Sequence, residues 1–168
     1  GAVTLTGSST MTGNTQFAGT LTGGSNALTV TGNLDLDGAA SNLTSTSVSG
    51  TSNLGASVTT TNTQTYTGAV ILSTDTTLTS TDSDVSFGST IDSDSIDRNL
   101  SLVTGSGNIS VTGAVGSSNN LDVLTVNNTG TFTTSSSVAA TTMTLTHTGG
   151  TTIGGTLTAT TMNLTDTT

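Results

Sequence analysis

The chain contains no cysteine, proline, tryptophan, lysine or glutamate. Without cysteine there is neither a disulfide scaffold nor a thiolate metal site. Arg98 is the one Lys or Arg against 10 acidic residues, all aspartate, and the formal charge is -9. That excludes a nucleic-acid surface, which needs cations to displace phosphate counterions. The longest apolar run, Ala69-Val70-Ile71-Leu72, is far short of the roughly 20 residues of a membrane helix, so no membrane insertion is expected. Glu, Lys, Gln and Arg are absent or rare, and no apolar stripe recurs with the helical period. Low hydrophobicity with few aromatics is also the composition of disordered chains.

What is present argues against disorder. Threonine occurs 45 times, serine 24 times and glycine 21 times in 168 residues. The apolar residues alternate with Thr and Ser, as in Val3-Thr4-Leu5-Thr6, Leu28-Thr29-Val30-Thr31, Ile109-Ser110-Val111-Thr112 and Met143-Thr144-Leu145-Thr146. A period of two puts the apolar side chains on one face of a strand and the hydroxyls on the other. Thr and Val are β-branched and suit a pleated strand. Turn clusters such as Gly23-Gly24-Ser25-Asn26 and Gly116-Ser117-Ser118-Asn119-Asn120 punctuate the pattern. The chain reads as all-β.

Internal repeats specify the architecture. Residues 124–142 align without gaps on 143–161, and 162–168 open a third copy. The alignment superposes Leu124, Met143 and Met162, then Val126, Leu145 and Leu164. Upstream the opening motif recurs at Val58, Leu78, Leu100 and Leu124, with intervals that lengthen along the chain. Between Leu28 and Val58 no coil boundary stands out. Such a unit cannot bury its apolar face alone but does so when stacked on its neighbours. An antiparallel sandwich would show short alternating strands but no gapless unit. The expected fold is therefore a right-handed parallel β-helix spanning residues 1–168 as a single β-solenoid segment, a piece or subunit of a longer assembly. The hand follows the general preference of parallel crossovers. About 7–8 coils of roughly 19–24 residues would make a rod roughly 35–40 Å long at about 4.8 Å per rank.

Gln64-Thr65-Tyr66-Thr67-Gly68-Ala69-Val70-Ile71-Leu72, then Asp75-Thr76-Thr77-Leu78-Thr79-Ser80-Thr81 and Val85-Ser86-Phe87-Gly88, resemble the repeat units of filamentous-haemagglutinin-like surface proteins of bacteria. Leu100 to Val115 is similar to the next unit, and the match covers about residues 58–130. The resemblance implies a parallel β-helix, export to the extracellular space or cell surface, and an adhesive or filament-forming role. It carries no catalytic residues to this chain.

Few residues offer chemistry. Asp75, Asp82, Asp84, Asp92, Asp94 and Asp97 cluster in one central stretch. Calcium is the cation such carboxylates would take, with Asp82, Asp84, Asp92 and Asp94 as candidate ligands. The spacing fits neither an EF-hand nor a calcium β-roll, and the plainer reading is a set of solvated loop aspartates. Arg98 is expected to form a local ion pair near Asp94 and Asp97. His147, the single imidazole, supplies one metal ligand where about four are needed, and reads as a turn histidine. Phe17, Tyr66, Phe87 and Phe132 read as core. Asp35/Asp37 and Asp92/Asp94 are the carboxylate pairs a glycosidase would use, but nothing in the sequence marks a pocket around them. No cofactor and no enzymatic activity are expected. The Asn-x-Ser/Thr triplets at Asn42, Asn99, Asn108, Asn127 and Asn163 are what so hydroxyl-rich a chain produces by chance.

The leading expectation is an extracellular structural or adhesive solenoid. It would join end to end with another copy or with covalently linked repeats, through Val3 and Leu5 at one end and Met162 and Leu164 at the other. The alternative is a module that binds a surface carbohydrate or a crystal such as ice through a Thr-rich face. The Thr-x-Thr pairs Thr4/Thr6, Thr29/Thr31, Thr77/Thr79, Thr144/Thr146 and Thr156/Thr158 would form that face, with interruptions at Val103 and Asn127.

Overall fold

A computed structural model describes residues 1–166; Thr167 and Thr168, the end of the third repeat copy, lie outside the described residues. All 20 described strands pair in parallel, and no described element is a helix. The chain winds as a three-sided solenoid of about nine turns. One turn shows the plan. Thr76–Ser80 lies on face A, Val85–Phe87 on face B and Ile91–Ser93 on face C. The first two pair with strands one turn below and one turn above, while Ile91–Ser93 pairs with the strand below and bridges above through Ile91 and Val115.

On face A one inward column runs Val3, Leu21, Ala40, Val58, Leu78, Leu102, Val126, Leu145, Leu164. On face B the columns are Ser9, Leu28, Thr46, Gln64, Val85, Ile109, Phe132, Thr151, and Met11, Val30, Val48, Tyr66, Phe87, Val111, Thr134, Ile153. On face C, Thr15, Leu34, Ser52, Val70 and Ile91 are followed by Val115, Val138 and Leu157. Period-two alternation thus becomes a core one side chain deep per strand. Each fully buried Leu, Val or Phe contributes about 1.5–3 kcal/mol.

The nine ranks of face A exceed the 7–8 coils expected. The reason is local: some amino-terminal turns are shorter than the repeat. The steps from Val3 to Leu21 and from Ala40 to Val58 each fall one position short of the step from Leu124 to Met143. Their corners close tightly because glycines stack. A Cβ on Gly32 would collide with the Gly13 carbonyl, and one on Gly50 with Gly32. The longest steps on this face run from Leu78 to Leu102 and from Leu102 to Val126. Here the expected register slips by two, for Leu100 pairs with Thr76 and Leu124, not with Leu78. Leu28 and Val58 show no common boundary because they stand on different faces, B and A. The strands between them, Leu21–Val30 and Ala40–Val48, run without a break from one face to the next. They turn the corner through left-handed residues at Gly24, Ser25 and Asn42. In the gapless repeats the register is as read: Leu124 pairs with Met143 and Met143 with Met162, Val126 with Leu145 and Leu145 with Leu164.

Candidate functional site

The aspartates of the central turns do not converge; Asp75, Asp82, Asp84 and Asp92 form clips between coils. Asp75 accepts the Asn99 backbone N–H at 3.0 Å and the Asn99 amide at 2.9 Å. Asp82 accepts the Ser106 N–H at 3.0 Å, Asp84 the Asn108 N–H at 2.7 Å and Asp92 the Ser118 N–H at 2.7 Å. Each donor lies one turn further along the chain. Asn108 repeats the device, its side-chain oxygen accepting the Thr131 N–H at 2.9 Å. These carboxylates and amides, at the corners and at Asp92 in the face C strand, satisfy backbone donors that the strands leave unpaired. Among the described residues no three acidic or imidazole side chains gather as a metal site.

Arg98 pairs with Asp94, not with its neighbour Asp97. Nε and one terminal nitrogen reach the two carboxylate oxygens at 3.0 and 2.8 Å. The guanidinium holds the Asp94 carboxyl below its ordinary range, helped by the Ile96 N–H. Both groups are partly open to solvent, so the pair is a clamp on the loop before Arg98–Gly105.

His147 is buried at the corner between faces A and B, where Thr60, Ser80, Thr104 and Asn128 are the buried polar residues of preceding turns. Each stands just before the turn onto face B. Thr104 donates to the Gly107 carbonyl at 2.7 Å and Asn128 to the Gly107 and Thr131 carbonyls at 3.0 and 3.3 Å. His147 Nδ1 accepts the Gly150 N–H at 3.2 Å, leaving Nε2 to meet Thr151 Oγ1 at 2.5 Å. Gln64 is a second polar anchor, wholly buried. Its amide donates to the Thr79 carbonyl at 2.8 Å and to the Val58 carbonyl at 3.2 Å, and its oxygen accepts the Tyr66 hydroxyl at 3.0 Å. Burial pushes the Tyr66 phenol above its ordinary range, and its ring stacks on Phe87 with centroids 5.4 Å apart. All four aromatic residues are buried.

Asp35 and Asp37 lie beside a shallow depression of about 400 Å³ lined by Gln16, Asn33, Asp35 and Asn53 among others. Gln16 donates to Asp35 and Asp37 at 3.0 and 3.1 Å, and Asn53 donates to Asp35 at 2.9 Å. The carboxylates are tied by neighbouring amides in a ladder along face C.

The Thr-x-Thr pairs do not share a face. Thr4, Thr77/Thr79 and Thr144/Thr146 stand on face A, Thr29/Thr31 on face B, and Thr158 pairs with Ala139 next to the face C column. Face B instead carries an unbroken outward file of hydroxyls: Thr10, Thr29, Ser47, Thr65, Ser86, Ser110, Thr133 and Thr152. Two residues on, backbone bonds continue the ranks into a second file of Thr12, Thr31, Ser49, Thr67, Gly88, Thr112, Ser135 and Gly154, all exposed and interrupted as hydroxyls at the two glycines. Ranks are about 4.8 Å apart. None of the ten aspartates stands in either file. The sequence signal was available, a Ser or Thr at the centre of every three-residue strand of face B. It is masked because Ser replaces Thr in three ranks and the interval between ranks varies.

The chain matches no family model, no curated protein and no solved structure.

Proposed function

We propose that this chain is a structural and adhesive β-solenoid segment of an extracellular fibre at a bacterial surface. The observation that carries the reading is the change across the last two ranks of face A. Met143 and Leu145 are 0% and 1% exposed, whereas Met162 and Leu164, which pair with them, are 48% and 63% exposed. A strand edge with uncovered Leu and Met is a template for another coil. In the first rank Val3 is exposed and Leu5 is already buried. The likeness of Gln64–Leu72 and Asp75–Thr81 to surface-protein repeats supports the same reading, as does a charge of -9 on a hydroxyl-rich exterior.

The reading is tested by electron microscopy and sedimentation of the full chain over a range of concentrations, beside Leu164→Asp. End-to-end oligomers that lengthen with concentration and disappear in the variant are expected. A native polypeptide far heavier than 16.4 kDa, with further repeats covering the last rank, supports the same role by a covalent junction. A monomer at every concentration from a native chain of this size overturns it.

A further inference from the structure

We propose that face B is an ice-contacting surface, its unbroken hydroxyl file, with the interrupted file beside it, seating an ordered lattice of water. The inference goes beyond the structural role, and a chain that forms fibres without touching ice would overturn it while leaving that role standing.

Three observations single out this face. The first is constancy. Every added residue of the longer turns falls in a corner or on another face, as at Asp94–Asp97 and Gly116–Asn120, while the face B strands of the last five turns stay at three residues each. The irregular spacing that argues against a crystal match along the sequence is therefore absent along the face. By contrast the corresponding file on face A is broken by Val103 and Asn127.

The second is availability. Among the described residues, Ser86 donating to Thr65 at 3.3 Å and Thr31 donating to the Met11 carbonyl at 3.3 Å are the side-chain bonds within these files. The remaining hydroxyls are free to give one hydrogen bond and accept others, as water itself does.

The third is the chemistry of the face against each competing occupant. A polyanion needs cations, and the one Lys or Arg is spent on Asp94. A sugar surface is commonly gripped by exposed aromatic rings with one apolar face and one polar tip, and every aromatic here is inside. A divalent mineral needs carboxylates, which stand in neither file. A file of hydroxyls and threonine methyls at the strand repeat, without charge, suits a neutral lattice built from hydrogen bonds. Eight ranks extend it over about 34 Å.

The test is to grow single ice crystals in a solution of the full chain and measure the gap between melting and freezing temperatures and the crystal shape. The wild-type chain is expected to facet ice and open a gap. Ser110→Lys, on an exposed position of the file, should abolish both with the protein's own melting temperature unchanged, whereas Thr144→Lys on face A should keep both. Ser47→Thr with Ser110→Thr, which makes the file more uniform, should widen the gap. Unshaped ice in wild-type solution overturns the proposal, as does equal loss in the Ser110 and Thr144 variants. Face-to-face dimerisation that Ser110→Lys abolishes would assign the face to a second copy and overturn it as well.

Discussion

Met143 and Met162 occupy the same position of the same repeat and differ in what lies above them. One is sealed and the other is half open to solvent. Leu145 and Leu164 repeat the contrast two residues on. In a globular domain a residue's burial follows from its own place in a closed core. Here it is a property of the neighbouring rank, because each coil is one strand thick and covers only the coil beneath it. The same leucine is core or interface according to whether a further coil arrives.

The comparison breaks most sharply by adding a charge to each rank. Leu145→Asp puts an unpaired carboxylate inside and should cost about 3–5 kcal/mol of stability. Leu164→Asp should cost under about 0.5 kcal/mol in the isolated chain, and equal losses in denaturant titrations would show the two ranks to be equally covered. Next in size is Gly130→Ala, at a corner where a Cβ would collide with the Gly107 carbonyl; about 1–3 kcal/mol is expected. Gly150→Ala, with open space around it but a left-handed backbone, separates crowding from strain. Asp84→Ala removes the acceptor of the Asn108 N–H and should cost about 1 kcal/mol, with Asp84→Asn nearer to wild type. Sub-millimolar calcium should leave the melting temperature of both chains in place, and a large rise would point to a cation held by these corners. The smallest effect is Arg98→Gln. Asp94 is depressed in the folded chain, so its pairing adds stability above the ordinary carboxylate range near pH 3.9 and loses it as pH falls through the lowered value. The gap between wild type and variant should close on acidification.

The architecture was legible where repeat length was constant. Leu124, Met143 and Met162 recur at one fixed interval, and they pair as the alignment requires. It failed where two registers look equally good. Leu100-Ser101-Leu102 offers two inward leucines two residues apart, and the pairing sets Leu100 against Thr76, a residue no apolar pattern would select. The acid cluster was legible as composition but not as function, because Asp75, Asp82, Asp84 and Asp92 each work on an amide 24 to 26 residues away. The hydroxyl file was hidden for a related reason. Hydroxyls are everywhere in this chain, and only the winding decides which eight share a face.

The steady register also governs how the molecule comes to fold. Among the described residues no strand-paired residues stand further apart along the chain than Leu78 and Leu102, and none stand nearer than Asn26 and Leu43. Each turn is therefore a loop closure of nearly the same length, and the longest costs only about 0.3 kcal/mol more than the shortest. Once any two coils have met, every further coil is a local step onto an existing template, in either direction along the rod. Such a chain zips from wherever it first nucleates. Cutting away its outer coils should leave a shorter rod that still folds, with a loss of stability roughly proportional to the ranks removed.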